Sequence, residues 1–308
     1  MPRSDPPDRP PAWFRIAARL RGALTYVSVF ALLGGAVAVV AGRDGPVGEV
    51  GRAVFYAGIG ALAVVMAATL LPGAPAVRPR TLAAPVRGRW RTVNSPANRR
   101  PSHGTHGLGQ THAVDLVFDP ADRTPPRFGW TGGFVPPSAR PGFGQPVYAP
   151  AEGTVVAVRD GQRDHRCRAS WPGLVYLLVE GVVRELLGPR FLLGNHIVLD
   201  VGGGEYVVLA HLRRRSLTVR PGARVAAGAV LGGCGNSGNS SEPHLHLQLM
   251  DHAHPQVAAG LPFRLADVIG DHGRPLAGLP PTGEHLRTTR PPAPTMPTRA
   301  RPVPDAVR

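Results

Sequence analysis

Residues 235–250 read G-N-S-G-N-S-S-E-P-H-L-H-L-Q-L-M. The last seven alternate, with Leu245, Leu247 and Leu249 set between His244, His246, Gln248 and Met250. Side chains at i and i+2 of a strand share a face. The pattern is a half-buried strand with its leucines inward and two imidazoles plus an amide on the polar face. Two imidazoles on one face suit a metal site or a proton-transfer site, although H-x-H alone is also how two ordinary surface histidines look. The preceding GNSGNSSEP (235–243) has loop composition and would deliver the strand at a rigid angle.

Working outward, the same short-strand grammar extends from about 103 to 270. HAVDLVF (112–118), PVYAP (146–150), GTVVAVRD (153–160), NHIVLDV (195–201) and EYVVLAH (205–211) are β-like runs divided by Gly and Pro. VRPGARVAAGAVLGGCG (219–235) adds two more with Gly turns. Many short strands at close spacing with turn signals predict an antiparallel, mainly β domain. The exception is LVYLLVEGVVRELL (174–187), which reads as an amphipathic helix inserted between two strands. The 162–193 insertion around it is either a lid or a segment packed beside the barrel. Asp160 and Asp200 border Gly turns, where aspartate often serves the backbone.

The N-terminal region has a different character. Five arginines fall in residues 1–22, and 23–42 then carries no charge. Twenty helical residues span roughly 30 Å, the thickness of a bilayer core. A second uncharged run covers 53–71, after a short polar link. Neither run has the polar face of a soluble surface helix, so a transmembrane hairpin is expected. A cleaved signal peptide fits poorly with a second span so close behind. Residues 73–102 read as an arginine-rich linker, and 275–308 as a Pro/Arg-rich disordered tail.

Composition excludes several chemistries. All 35 residues counted as Lys or Arg are arginine, and the formal net charge is +15. Without lysine there is no Schiff base, no P-loop lysine and no attachment point for biotin or lipoate. Two cysteines, Cys167 and Cys234, cannot build a cysteine zinc site, though outside the cytoplasm they could pair with each other. The charge lies mostly in the linker and tail with few aromatics between, which argues against nucleic-acid binding. The histidines are more telling. His103, His106 and His112 precede Asp115, His211 ends a strand, and His244 and His246 share a face. His112 is three before Asp115, so in a continuous strand it faces the other way, leaving His106 and His103 in the loop SHGTHGLGQ to reach in.

Four segments taken in order resemble the lysostaphin-type (LytM-like) zinc endopeptidases that cut peptidoglycan: the His/Asp segment, P-V-Y-A-P-A-E-G-T-V (146–155), A-H-L (210–212) and G-N-S-G-N-S-S-E-P-H-L-H (235–246). The resemblance covers about 103 to 250. It implies an antiparallel β-sandwich or barrel-like peptidase domain holding one Zn2+. It also implies Asp115 and His246 as metal ligands, with His211 and His244 as a catalytic pair that does not bind the metal. The common spelling H-x-x-x-D would put the first ligand at position 111, which is Thr111 here. THAVD resembles a variant whose ligand histidine lies further upstream, and its spacing favours His106 over His103 and His112. Asn236 and Ser237 are expected to shape the loop and contact substrate backbone. A catalytic zinc takes three protein ligands and leaves a fourth position for water, whose pKa falls to about 7.

The expected function is hydrolysis of peptide bonds in cell-wall peptidoglycan by a membrane-anchored zinc metalloendopeptidase. The alternative is a non-catalytic relative that binds wall or activates a partner hydrolase. Such relatives have usually lost ligands, whereas Asp115, His211, His244 and His246 are all present. A biotinyl or lipoyl carrier, suggested by the hairpin-like VRPGARVAAG, is removed by the missing lysine. The positive-inside rule places both ends of the hairpin in the cytoplasm. Peptidoglycan lies outside it, and large domains translocate despite charge, so an extracytoplasmic peptidase domain is expected.

Overall fold

The computed structural model describes residues 8–43, 45–71, 73–122, 129–130 and 134–289. Two long helices come first, α1 (Ala12–Gly42) and α2 (Pro46–Leu70). Both are long and apolar enough to cross a membrane, and almost none of their apolar length is buried within the protein. Where they touch each other, small residues allow close approach. A Cβ on Gly35 would lie 2.7 Å from the Phe55 nitrogen, and one on Gly51 would lie 2.8 Å from Val39. Ser28 and Thr69 return their hydroxyl protons to the carbonyls of Leu24 and Val65 one turn back, so these two donors are satisfied within the helices.

The helix α1 is longer than the uncharged run. Its first turns dock on the β domain, where Phe14 and Ala18 pack with Ala259 and Arg19 pairs with Asp251 at 3.0 Å. At the other end of the hairpin the His106 N–H donates to the Thr69 carbonyl at 2.8 Å. Both ends of the hairpin therefore meet the same face of the domain.

The β domain contains β1 (Arg80–Ala83), β2 (Arg89–Val93), β3 (Val114–Phe118), β4 (Pro146–Tyr148), β5 (Gly153–Arg159), β6 (His196–Asp200) and β7 (Tyr206–Ala210). After these come β8 (Arg224–Val225), β9 (Val230–Gly233), β10 (Leu245–Met250), β11 (Gly260–Leu261), β12 (Phe263–Ala266), β13 (Val268–Ile269) and β14 (His285–Thr288). The main sheet runs β13-β14-β2-β3-β10-β7-β6-β5-β8, with β11 added to β10. Every pairing along that path is antiparallel. Two small pairs flank it: β4 with β9, antiparallel, and β1 with β12, parallel. The strand β10 is fully buried at the centre. Its Leu245, Leu247 and Leu249 join Val114, Leu116, Val207, Leu209 and Ile197 in one core, as the alternation predicts. The inserted helix α3 (Trp171–Leu187) stands between β5 and β6.

Two expectations need correction. Residues 73–102 are not a linker, because β1 and β2 lie within them and β2 is held between β14 and β3. Trp90 is completely buried, its ring edge-on to Phe118 at 5.2 Å and its Nε1–H donating to the Arg87 carbonyl at 2.7 Å. Arginines at 87, 89 and 91 hid the inward set, Trp90 and Thr92, from a reading by composition. The second correction concerns 275–308. Its β14 lies between β13 and β2 in the sheet, with the wholly buried Leu286 opposite Trp90, whereas 290–308 lie outside the described residues. A Trp90→Ala chain should lose about 3–5 kcal/mol of stability in denaturant titration. An unchanged midpoint would return this segment to the status of a linker.

Candidate metal centre

Sheet register builds the site. His246 on β10 is directly opposite Asp115 on β3 and Ala210 on β7. Val93 on β2 is the next partner of Asp115, so Asn94 and His211 each follow one residue beyond this row. The His246 Nδ1 is 2.9 Å from one Asp115 oxygen, and the His103 Nε2 is 3.0 Å from the other. His103, Asp115 and His246 together place three candidate ligand atoms within 4.8 Å of one another. The His244 Nε2 lies 3.5 Å from Asp115, and the His211 ring centre lies 4.7 Å from that of His244.

The surrounding hydrogen bonds fix how each imidazole is turned. The Gln248 amide nitrogen donates to the Leu108 carbonyl at 2.8 Å, so its Oε1 faces His246 Nε2 at 2.9 Å and must accept. The Ser102 hydroxyl donates to the Gln110 carbonyl, so its oxygen accepts from His103 Nδ1 at 3.1 Å. His211 Nδ1 donates to the Ser237 carbonyl at 2.9 Å, and His244 Nδ1 to that of Glu242 at 2.8 Å. In each ring the outer nitrogen carries the proton and the inner one presents a lone pair to the site. His103 and His246 thus aim two lone pairs at a carboxylate that is itself only an acceptor. A divalent cation bound between them satisfies all three groups at once, and the outer partners are the kind that orient metal-binding histidines. The donor set fits zinc, which takes imidazole nitrogen and carboxylate oxygen.

Burial and charge act together here. Burial alone would raise the Asp115 pKa, but His103 and His244 outweigh it and hold the carboxyl well below its ordinary value. Burial lowers His103 despite the pull of Asp115. Burial also holds His211 well below its ordinary value, with His244 and His246 adding to the shift. At His244 the neighbouring Asp115 overcomes burial and the pKa rises. His211 has φ 59°, a left-handed conformation sparsely populated outside glycine. The strain is held by its N–H on the Leu193 carbonyl at 3.0 Å and its ring on Ser237.

The structure brings Asp115, His211, His244 and His246 close together. His106 does not join them. Its ring instead bonds the Thr111 hydroxyl at 3.0 Å and the Leu71 carbonyl at 3.1 Å, and stands edge-on to Phe14. The spacing argument assumed a simple loop, whereas Leu108 and Gly109 are both left-handed and turn the chain after His106 away from the site. It is His103 that reaches Asp115. His112 is buried elsewhere, and its pKa is pushed down to about 3 by burial.

Asn236 and Ser237 are wholly buried and do not face outward for substrate. The Asn236 amide donates to the His165 carbonyl, and Ser237 Oγ donates to Leu212 and accepts from the Asn195 N–H. They support the site: Ser237 orients His211, and Asn236 accepts from Ser240 beneath His244. His165 is buried as well, its ring against the Gly238 carbonyl. Cys167 and Cys234 are both free and buried. Asp160 and Asp200 serve backbone N–H groups in turns, as expected. The sequence reading missed Asn94, whose amide donates to Asp115 at 2.8 Å. It sits in the misread linker and carries no local signal. Gln248 was legible as the third residue on the polar face of β10.

Comparison with known proteins agrees with the resemblance. Residues 139–258 match the model of Peptidase family M23. This segment is therefore similar to the M23 peptidases over about two fifths of the chain. The match includes His211, His244 and His246, while His103 and Asp115 precede it. Among solved structures, a zinc-containing peptidase from Vibrio cholerae is 18% identical over 51% of this chain and 29% of its own, with a TM-score of 0.27. The catalytic domain of lysostaphin from Staphylococcus simulans is 20% identical over 50% of this chain and 79% of its own, with a TM-score of 0.28. A putative M23 peptidase from Pseudomonas aeruginosa is 24% identical over 35% and 34%, with a TM-score of 0.23. The match spans about a third of the length of the first and last of these three. No curated protein matches the chain.

Metal content separates the two candidate ligands. His103→Ala should lose most of the roughly one zinc per chain expected of such a site, measured by elemental analysis after dialysis. His106→Ala should keep its zinc. The reverse result would put the first ligand on His106.

Proposed function

We propose that this chain is a membrane-anchored zinc metalloendopeptidase that hydrolyses peptide bonds in cell-wall peptidoglycan. One observation supports the reading above others: two imidazole lone pairs and a buried carboxylate converge, with two further imidazoles turned toward the same space. His103, Asp115 and His246 would hold the metal, leaving a position for water. When bound, zinc would supply a water acidic enough to attack at neutral pH and would polarise the scissile carbonyl.

The remaining work falls to the chain. His211 is buried, its Nδ1–H is tied to the Ser237 carbonyl, and its Nε2 is free to accept a proton from the attacking water. His244, whose pKa Asp115 raises, is suited to take a second proton on its inner Nε2 and then donate a hydrogen bond to the oxyanion as it develops. Ser240, Glu242 and Ser237 keep both rings in place. A complete set of four imidazoles and one carboxylate favours catalysis over a purely binding role.

The hairpin would anchor the domain to the cytoplasmic membrane, and the substrate would place that domain on the outer side. Arginine-rich surfaces would attract the carboxylates of wall peptides at low salt. Full-length protein in detergent, incubated with purified peptidoglycan, should release new amino termini. Chelation should stop the release and zinc should restore it. His211→Ala should retain the metal and lose about 10²–10⁴-fold in turnover. Full activity in that variant would overturn the role given to His211, and no metal-dependent release from the parent chain would overturn the proposed function.

A further inference from the structure

The inserted helix α3 is amphipathic with its faces reversed. Its inward side carries Gly173, Gly181 and the charged pair Glu180 and Arg184. Those two charged side chains are only 22% and 18% exposed. Glu180 also pairs with Arg168, and Arg184 donates to the Phe191 carbonyl at 2.8 Å. The outward side carries Val175, Leu178, Val179, Val182 and Leu186, with Leu178 and Val179 63% and 62% exposed. A helix on a water-facing surface shows the opposite arrangement. Apolar side chains turned outward over about three turns call for an apolar medium outside.

The hairpin shows what that medium is. The Tyr26 hydroxyl of α1 donates to the Leu186 carbonyl at the end of α3, at 3.2 Å. Val29, Leu62 and Met66 of the hairpin and Val182 and Leu186 of α3 line one cavity of about 440 Å3. Tyr26 and Val29 lie just inside the uncharged run that starts at Ala23. At 1.5 Å per residue they are within about 10 Å of its near end. The apolar face of α3 is therefore continuous with the apolar surface of the hairpin and level with its first turns. Trp13 at the start of α1 and Trp171 at the start of α3 are both exposed, as are aromatic residues that mark a membrane–water boundary.

We propose that α3 lies in the bilayer leaflet nearest the β domain, as a third membrane contact that enters the lipid without crossing it. Lipid acyl chains cover its Val175–Leu186 face and fill the cavity between it and the hairpin. The contact also reaches the site. The segment just after α3 supplies the Leu193 carbonyl that holds the His211 backbone and the Leu192 carbonyl that holds Asn239. Embedding α3 thus fixes the orientation of the imidazole cluster relative to the membrane. This inference rests on the proposed anchoring of the hairpin.

The test uses the full chain in vesicles of phosphatidylcholine and phosphatidylglycerol at about three to one, a composition with apolar and anionic character. Both native cysteines are buried, so single new cysteines can be labelled with a polarity-sensitive fluorophore. Probes go at Val179→Cys and Val182→Cys on α3, at Val37→Cys on α1 and at the exposed Arg220→Cys on the β domain. Nitroxide-bearing acyl chains should quench the α3 and α1 probes at least about threefold more than the Arg220 probe, with aqueous iodide giving the reverse order. Lipid quenching at Val37 with iodide quenching at both α3 positions would overturn this inference and leave the anchor standing. Probes on α3 shielded from both quenchers would mean that a protein covers the helix, and would also overturn it. Iodide quenching at all positions would remove the anchor and this inference together.

Discussion

The protein's site depends on one buried carboxylate and what faces it. Asp115 sits on β3 with β2 on one side and β10 on the other, so sheet register alone brings His246 opposite it. His103 comes in from the loop, Asn94 from the end of β2 and His244 from the start of β10. An unpaired carboxylate so deep would be costly to bury. The Asn94 amide donates to it at 2.8 Å, and the lone pairs of His103 and His246 turned toward the same carboxylate leave the rest of its charge to be met by a cation.

This arrangement explains why so many residues nearby are polar yet buried. Gln248, Ser102, Ser237, Ser240 and Asn236 have no room to meet substrate. Each instead fixes the ring or loop beside it, and between them they determine which nitrogen of each histidine carries its proton. Close backbone contact in the 235–243 loop serves the same end. A Cβ on Gly238, at φ 74°, would lie 2.4 Å from the Gly194 nitrogen, so only glycine lets this loop press against the turn that precedes β6. The left-handed His211 is the strained member of this assembly.

Much of this was legible in the sequence, and the boundary between what was and was not is physical. Strict alternation in β10 gave its inward leucines and its polar row, including Gln248. The uncharged runs announced the hairpin, and the inserted helix was placed to within three residues of its start. Failures came where local signal and tertiary demand part. Trp90 belongs to a strand whose outward arginines imitate a linker. His106 has a ligand's spacing, but two left-handed residues after it change where the chain goes. Asn94 gains its role only from the register of β2 with β3. Cationic composition and residue spacing are one-dimensional quantities, and they carry neither the register of β2 nor the backbone conformation at Leu108 and Gly109.

The reversed faces of α3 and the docking of both hairpin ends on one side of the domain give the molecule a common orientation. The His106 N–H meets the Thr69 carbonyl of the hairpin, and the Leu193 carbonyl after the inserted helix receives the His211 N–H. At the centre stands the claim that two imidazoles and Asp115 close on a single ion. X-ray absorption at the zinc edge of the loaded full chain tests it most directly. The account predicts a first shell of two imidazole nitrogens and light oxygen donors at about 2.0–2.2 Å. A shell containing sulfur, or three or more imidazoles, would contradict it.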